Sequence, residues 1–189
     1  MLSVTGDWTW MGGRRPSAFG VAAALAVGLA APSALAQDDS DELNDSPAWR
    51  ANVGLHLGTS IIVLVPDRGD SLGVGLQVEG RYGIGLGPIV VAPGAELSGY
   101  LLASRVVGTL LPTVRLTVPI GPLAPFVRAG VGIGGLTDPS EGGLAWLAGA
   151  GLMLHVSDAF SFGAELGYQA IEGTDFKGLS IAPTLSWNG

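Results

Sequence analysis

With 189 residues the chain has room for one domain and little else. Hydrophobic residues make up 48% of it and charged residues only 13%, and the mean hydropathy is +0.46, too oily for an ordinary soluble domain of this size. The net charge of −7 provides no basic stripe to neutralise phosphates, which excludes nucleic acid as a partner. The absence of cysteine removes disulfides, thiolate zinc sites and thiol catalysis.

The first 36 residues read as a signal peptide: Arg14 and Arg15, an apolar run from Ala18 to Ala31, then Pro32-Ser33-Ala34-Leu35-Ala36 with small residues at the processing positions. Cleavage is expected after Ala36, and Met11 is a better start than Met1 because the first ten residues add no signal feature. The rival reading, an N-terminal membrane anchor, is disfavoured by the short run and the processing site. Residues 37–48 carry Asp38, Asp39, Asp41, Glu42 and Asp45 and read as an acidic periplasmic linker. No glycine-hinged calcium-loop spacing occurs in it.

From residue 49 to 189 the texture changes to period-two alternation with frequent turn signals. Eight strands are expected, at about 49–65, 71–86, 89–102, 106–120, 125–136, 144–156, 160–171 and 177–187. Turns at Gly87-Pro88 and Ser157-Asp158-Ala159 alternate with connections on the other side, of which Thr137 to Gly143 and Glu172 to Asp175 are expected to be the longest. Glycines and prolines interrupt every longer apolar run, so a helical membrane bundle needing about 20 apolar residues per span does not fit. Pro93, Pro112 and Pro183 fall inside expected strands; they mark bulges or rims, or else the strand count falls.

The alternation sorts side chains onto two faces. In the second strand Leu72, Val74, Leu76, Val78, Tyr82, Ile84 and Leu86 oppose Ser71, Gly73, Gly75, Gln77, Glu79, Arg81, Gly83 and Gly85; in the seventh, Phe160, Phe162, Ala164, Leu166 and Tyr168 oppose Ser161, Gly163, Glu165, Gly167 and Gln169. The second face is small or charged, with both signs present. Glu79, Arg81, Glu96, Arg115, Arg128 and Glu165 are therefore expected to meet inside a narrow bore and neutralise one another. The apolar face then meets lipid, and closure satisfies the backbone where no water is present. The expected fold is all-β: an eight-stranded antiparallel up-and-down transmembrane β-barrel. Aromatic girdles are expected at two rims, with Trp49, Tyr82, Phe126, Phe160, Phe162 and Trp187 at one and Trp146, Tyr168 and Phe176 at the other. His56 and His155 fall on the inward face and read as hydrogen-bonded lumen residues in preference to catalytic or metal-binding ones.

With the strands placed, the sequence resembles the small bacterial outer-membrane barrels, namely the OmpA-like transmembrane domains and the opacity-type barrel families, over about 49–187. Pro125-Phe126-Val127-Arg128-Ala129-Gly130-Val131-Gly132-Ile133-Gly134 is similar to their fifth strand, and Gly149 to Leu154, the Ser157-Asp158 turn and Phe160 to Tyr168 to their sixth-to-seventh hairpin. The resemblance implies residence in the outer membrane, contact with its lipid, and insertion by the barrel-assembly machinery, read from a C-terminal signal at Ser180, Ala182, Leu185 and Trp187. Alanine stands there for the family's glycine, and Asn188-Gly189 follow the aromatic.

The reading is a structural or interaction-type barrel, with no reaction, cofactor or metal proposed. A bore of eight strands has no water-filled lumen of porin size. The alternatives are a narrow transport barrel for small apolar or ionic solutes, a soluble periplasmic lipocalin-like carrier, and, more distantly, a lipid A-modifying enzyme.

Overall fold

The structure, a computed structural model, describes residues 47–67, 72–103, 105–137 and 140–189. The signal peptide, the choice of start codon and the acidic linker up to residue 46 lie outside the described residues. A short helix α1 (Pro47–Asn52) leads into β1 (Gly54–Pro66), β2 (Gly73–Leu86), β3 (Ile89–Leu101), β4 (Val106–Thr117), β5 (Leu123–Thr137), β6 (Ser140–His155), β7 (Phe160–Ile171) and β8 (Lys177–Asn188). Each strand pairs antiparallel with its sequence neighbour, and β8 pairs with β1 to close the barrel.

The register sets the bore. Hydrogen-bonded neighbours followed once round from His56, through Arg81, Gly94, Thr113, Gly130, Leu147, Gln169 and Gly178, lead back to β1 at Pro66, ten residues further along. For eight strands that stagger means a tilt of roughly 40° and an interior just wide enough for side chains. Both chain ends of the barrel lie at one rim, called here the terminal rim, with the 87–88, 118–122 and 156–159 turns. The strand ends at Pro66 and Gly73, Leu101 and Val106, Thr137 and Ser140, and Ile171 and Lys177 lie at the opposite, distal rim.

Three local expectations are corrected. Residues 49–52, expected to open the first strand, are helical: Pro47 stands at the first helical position, where its missing N–H is no loss, and Gly54 turns the chain out of the helix with a φ of 103°. The expected long connection from Thr137 to Gly143 is mostly strand, because Gly134↔Gly143, Gly135↔Gly142, Leu136↔Glu141 and Thr137↔Ser140 extend the β5–β6 ladder to its tip. Glycine and serine there pair as extended backbone instead of looping.

The third concerns the prolines, which break no strand. Pro93 pairs with Val114, Pro112 with Ala95 and Pro183 with Ala164. On the opposite side of each proline the ladder skips two pairs and resumes in the same register, between Arg81↔Gly94 and Ile84↔Val91, Leu110↔Ile133 and Thr113↔Gly130, Ser60↔Thr184 and Val63↔Ile181. Each proline thus loses its own N–H donor locally, and all three side chains point outward.

Between the rims the outward face is apolar except at Thr59, whose hydroxyl donates to the Gln77 carbonyl at 3.0 Å. Leu76, Leu97, Ile133 and Leu166 are 64%, 61%, 67% and 56% exposed, part of a belt far larger than the patches soluble monomers expose. Among the described residues no helix is long and apolar enough to cross a membrane. Tyr82, Phe162 and Trp187 face outward at the terminal rim, where Phe160 meets Trp187 at 5.9 Å, and Trp146 stacks on Tyr168 at 5.6 Å towards the distal rim. Trp49, Phe126 and Phe176, expected in these girdles, are not there. Phe126 and Phe176 are buried in the bore, and Trp49 lies against the inner wall, in the space a side chain at Gly85 would fill.

Candidate functional site in the barrel interior

The inward positions fall into layers along the bore. The central one contains all six charged residues singled out in the sequence, each at most 8% exposed. Two interlocked sets form it. On the even strands, Arg115 of β4 donates from Nη2 to Glu79 of β2 at 2.9 Å and 3.1 Å, and Arg81 bonds the same carboxylate. On the odd strands, Arg128 of β5 donates from Nε to Glu165 of β7 at 2.5 Å and from Nη1 to Glu96 of β3. Arg128 Nη1 also lies 3.6 Å from Glu79, joining the sets, and its Nη2 donates to Gln77 at 3.3 Å.

Three carboxylates and three guanidiniums leave the layer neutral. That balance is required, because an unpaired ion in such a place costs several kcal/mol. The wall is shaped around it: a side chain at Gly58 would meet Glu79 Oε1 at 2.7 Å, and one at Gly149 would meet Glu165 Oε1 at 2.7 Å. The Arg115 guanidinium lies 4.0 Å from the Phe126 ring centroid, so Phe126 takes up one of its faces.

Towards the distal rim the bore is polar but uncharged for one layer, then apolar. Ser60 donates to Thr184 at 2.9 Å, Ser98 and Thr109 share a hydrogen bond of 2.6 Å, Gln169 donates to Thr109 at 2.9 Å, and Tyr100 donates to Gln169. Beyond them Ile62, Leu64, Leu102, Val107, Leu111, Leu136, Leu147, Ile171 and Phe176 pack together. The inward face is therefore not uniformly small or charged as the second and seventh strands suggest; its distal half is filled with bulky apolar side chains. Parity with Glu96 and Ser98 would have placed Tyr100 in the bore.

Towards the terminal rim, α1 enters the mouth. Ala48 and Ala51 are fully buried, and Ala48 packs with Ala124, Phe126 and Met153. Asn52 donates both amide hydrogens, to Ala48 O at 2.7 Å and to His155 Nε2 at 2.8 Å. Its orientation is fixed by the carbonyl, so His155 accepts at Nε2 and has its proton on Nδ1. Asn188 is held likewise by the Asp158 carbonyl at 2.8 Å and accepts from His56 Nδ1 at 2.6 Å. Both histidines are in the bore, as their strand faces imply. Among the described residues no group of three or more His, Asp or Glu is placed to hold a metal ion.

In β8, Ser180 and Ala182 face the bore while Leu185 and Trp187 face outward. At the distal rim Arg105 donates to Asp175 at 2.6 Å, which holds the Asp175 carboxyl below the usual carboxylate range.

No protein-family model and no curated protein matches the chain. Solved structures do. Neisserial surface protein A aligns with a TM-score of 0.53 at 9% identity, over 70% of this chain and 93% of that one. The fold is that of the small outer-membrane β-barrels. Ail, the attachment invasion locus protein of Yersinia pestis, aligns with this barrel at a TM-score of 0.51 and 16% identity, over 70% of this chain and 95% of its own. The outer membrane enzyme PagL gives 0.52 at 12% identity, over 69% and 97%.

Proposed function

We propose that, in the outer membrane, this barrel is a closed protein of the structural or interaction type that presents its distal connections outside the cell and catalyses no reaction. The observation that carries this reading is the filling of the bore along its length. An apolar layer from Ile62 to Phe176, a hydrogen-bonded layer around Gln169, a neutral Glu/Arg layer and the α1 helix succeed one another between the rims. An exported N-terminus places the terminal rim in the periplasm. The outward belt argues against a soluble carrier, which would bury such side chains in its interior. Both histidines lie inside the bore, away from the lipid-facing surface where lipid-modifying chemistry would need them.

Insertion is assigned to the C-terminal strand, where two outward residues, Leu185 and Trp187, follow two inward ones, Ser180 and Ala182. This strand also closes the cylinder on β1. The test of the closed reading is conductance of the purified protein in a planar lipid bilayer. A silent bilayer is expected; sustained unitary currents would move the assignment to a narrow transport barrel.

A further inference from the structure

We propose that the outward wall around Gly99 is a docking groove for one lipid acyl chain. The inference rests on the outer-membrane reading above and adds a site to it. On the outward face Gly99 stands between Leu97 and Leu101 of its own strand, with Leu76 opposite it on β2 and Gly108 opposite it on β4. Three of its four neighbours are leucines and the fourth has no side chain. The result is a groove of about 650 Å³, completed by Val74, Val78 and Val106. Sites for small ligands have volumes of ~300–1,000 Å³.

The fold itself does not call for glycine at these two positions. Its chain neighbours apart, a side chain at Gly99 would come no nearer than 4.0 Å to another atom, the Val107 carbonyl oxygen, and one at Gly108 would meet nothing within 4 Å. Neither residue has a positive φ. The bore-facing Gly75 next to them is a different case, since a side chain there would strike the Gly99 carbonyl and the Tyr100 ring. Glycine weakens a strand, so a leucine or valine at Gly99 would firm the wall and fill the groove.

Chemistry and shape identify the occupant. The side chains that bound the groove are exposed leucines and valines. The ladders of β3 with β2 and with β4 run unbroken beneath it, so no free backbone edge is offered to a peptide. The wall of a closed barrel is convex, and a second copy would rest on the ridges of Leu97 and Leu101 above the groove floor. A single flexible hydrocarbon chain reaches that floor. The groove is also continuous with the lipid-facing belt, through Ile61 on one side and Leu110 on the other. Gly99 lies close to the distal end of β3, which draws the chain from the outer leaflet.

The full chain, folded into vesicles of dimyristoylphosphatidylcholine and transferred to a mild detergent, is weighed by native mass spectrometry. The heat-dependent gel shift confirms a folded barrel. The parent is expected to retain one lipid. Gly99→Leu is expected to lower the retained fraction on the order of tenfold, the effect of about two methylenes losing their burial. Gly80→Leu, outward on β2 but outside the groove, is expected to retain as much as the parent. Exchanging phosphatidylcholine for phosphatidylglycerol is expected to leave all three unchanged, because the groove recognises the chain and not the headgroup.

A folded parent that keeps no lipid, or a Gly99→Leu barrel that keeps as much as the parent, overturns the site while leaving the outer-membrane reading intact. A parent dimer that Gly99→Leu dissociates gives the groove to a second copy and overturns the lipid. Retention that follows the headgroup overturns recognition through the chain. A protein that stays outside the vesicles and shows no gel shift takes down the membrane reading and the site together.

Discussion

Arg128 on β5 and Glu165 on β7, two strands apart, are joined across the bore by an Nε to Oε1 bond of 2.5 Å. The same guanidinium bonds Glu96 on β3 from the other side and so ties three alternate strands together. Arg128→Met leaves both carboxylates buried without this partner, and a loss of about 3–5 kcal/mol is expected. Urea unfolding in lipid vesicles, read by the gel shift, measures it. Adding Glu96→Gln to Arg128→Met is expected to recover part of the loss, because two carboxylates, Glu79 and Glu165, then face two guanidiniums, Arg81 and Arg115, and the layer is again neutral.

The glycines of the wall are predicted to differ sharply. A side chain at Gly149 meets Glu165 Oε1 at 2.7 Å and the Leu166 carbonyl at 3.2 Å, whereas one at Gly108 meets nothing within 4 Å. Gly149→Val is expected to cost about 1–3 kcal/mol through overpacking, and Gly108→Ala to leave stability unchanged or slightly raised. The same unfolding curves decide between them.

Pro183 interrupts the β1–β8 seam over two pairs without shifting its register. Pro183→Ala returns an N–H to that seam, and a gain of about 1 kcal/mol is expected, the net contribution of one hydrogen bond. Hydrogen exchange at Ile61, which stands opposite Pro183 in the register, should slow in parallel. Unchanged exchange would mean that the gap has another cause.

Depth in the bilayer is tested by charge on the outer face. Leu166 lies midway along β7, and Val156 lies in the turn at the terminal rim; both are outward and more than half exposed, at 56% and 57%. Leu166→Arg is expected to cost about 2–4 kcal/mol and Val156→Arg at most about 1. Equal costs at the two sites would be inconsistent with a membrane midplane near Leu166.

Much of the fold is written in period-two alternation. It locates β7 at the residues expected and the other strands to within a few residues, because a strand with one apolar and one small or charged face tolerates no slip of one position. Charges within strands are few, so the six interior ones stand out. Which glutamate meets which arginine was not legible, since that depends on the ten-residue stagger around the cylinder and not on any one strand. Helix α1 was missed because Trp49 to Asn52 is too short for a helical period to show against a strand. Phe126 and Phe176 were misplaced because aromatic preference for strand ends says nothing about inside or outside. The apolar distal layer stayed hidden because alternation tells which residues share a face and not how that face changes along the bore.

Sidedness is the claim on which all of this rests, and the molecule places the same residue types on both sides of its wall: Leu76, Leu166 and Ile181 outside, Ile62, Leu64, Leu111 and Ile171 inside. Methyl NMR of the protein in bilayer discs doped with a spin label on the acyl chain reads both sets at once. Strong broadening of the first set with the second spared is the predicted result. Broadening of Leu111 and Ile171 with Leu76 and Leu166 sharp would contradict the account.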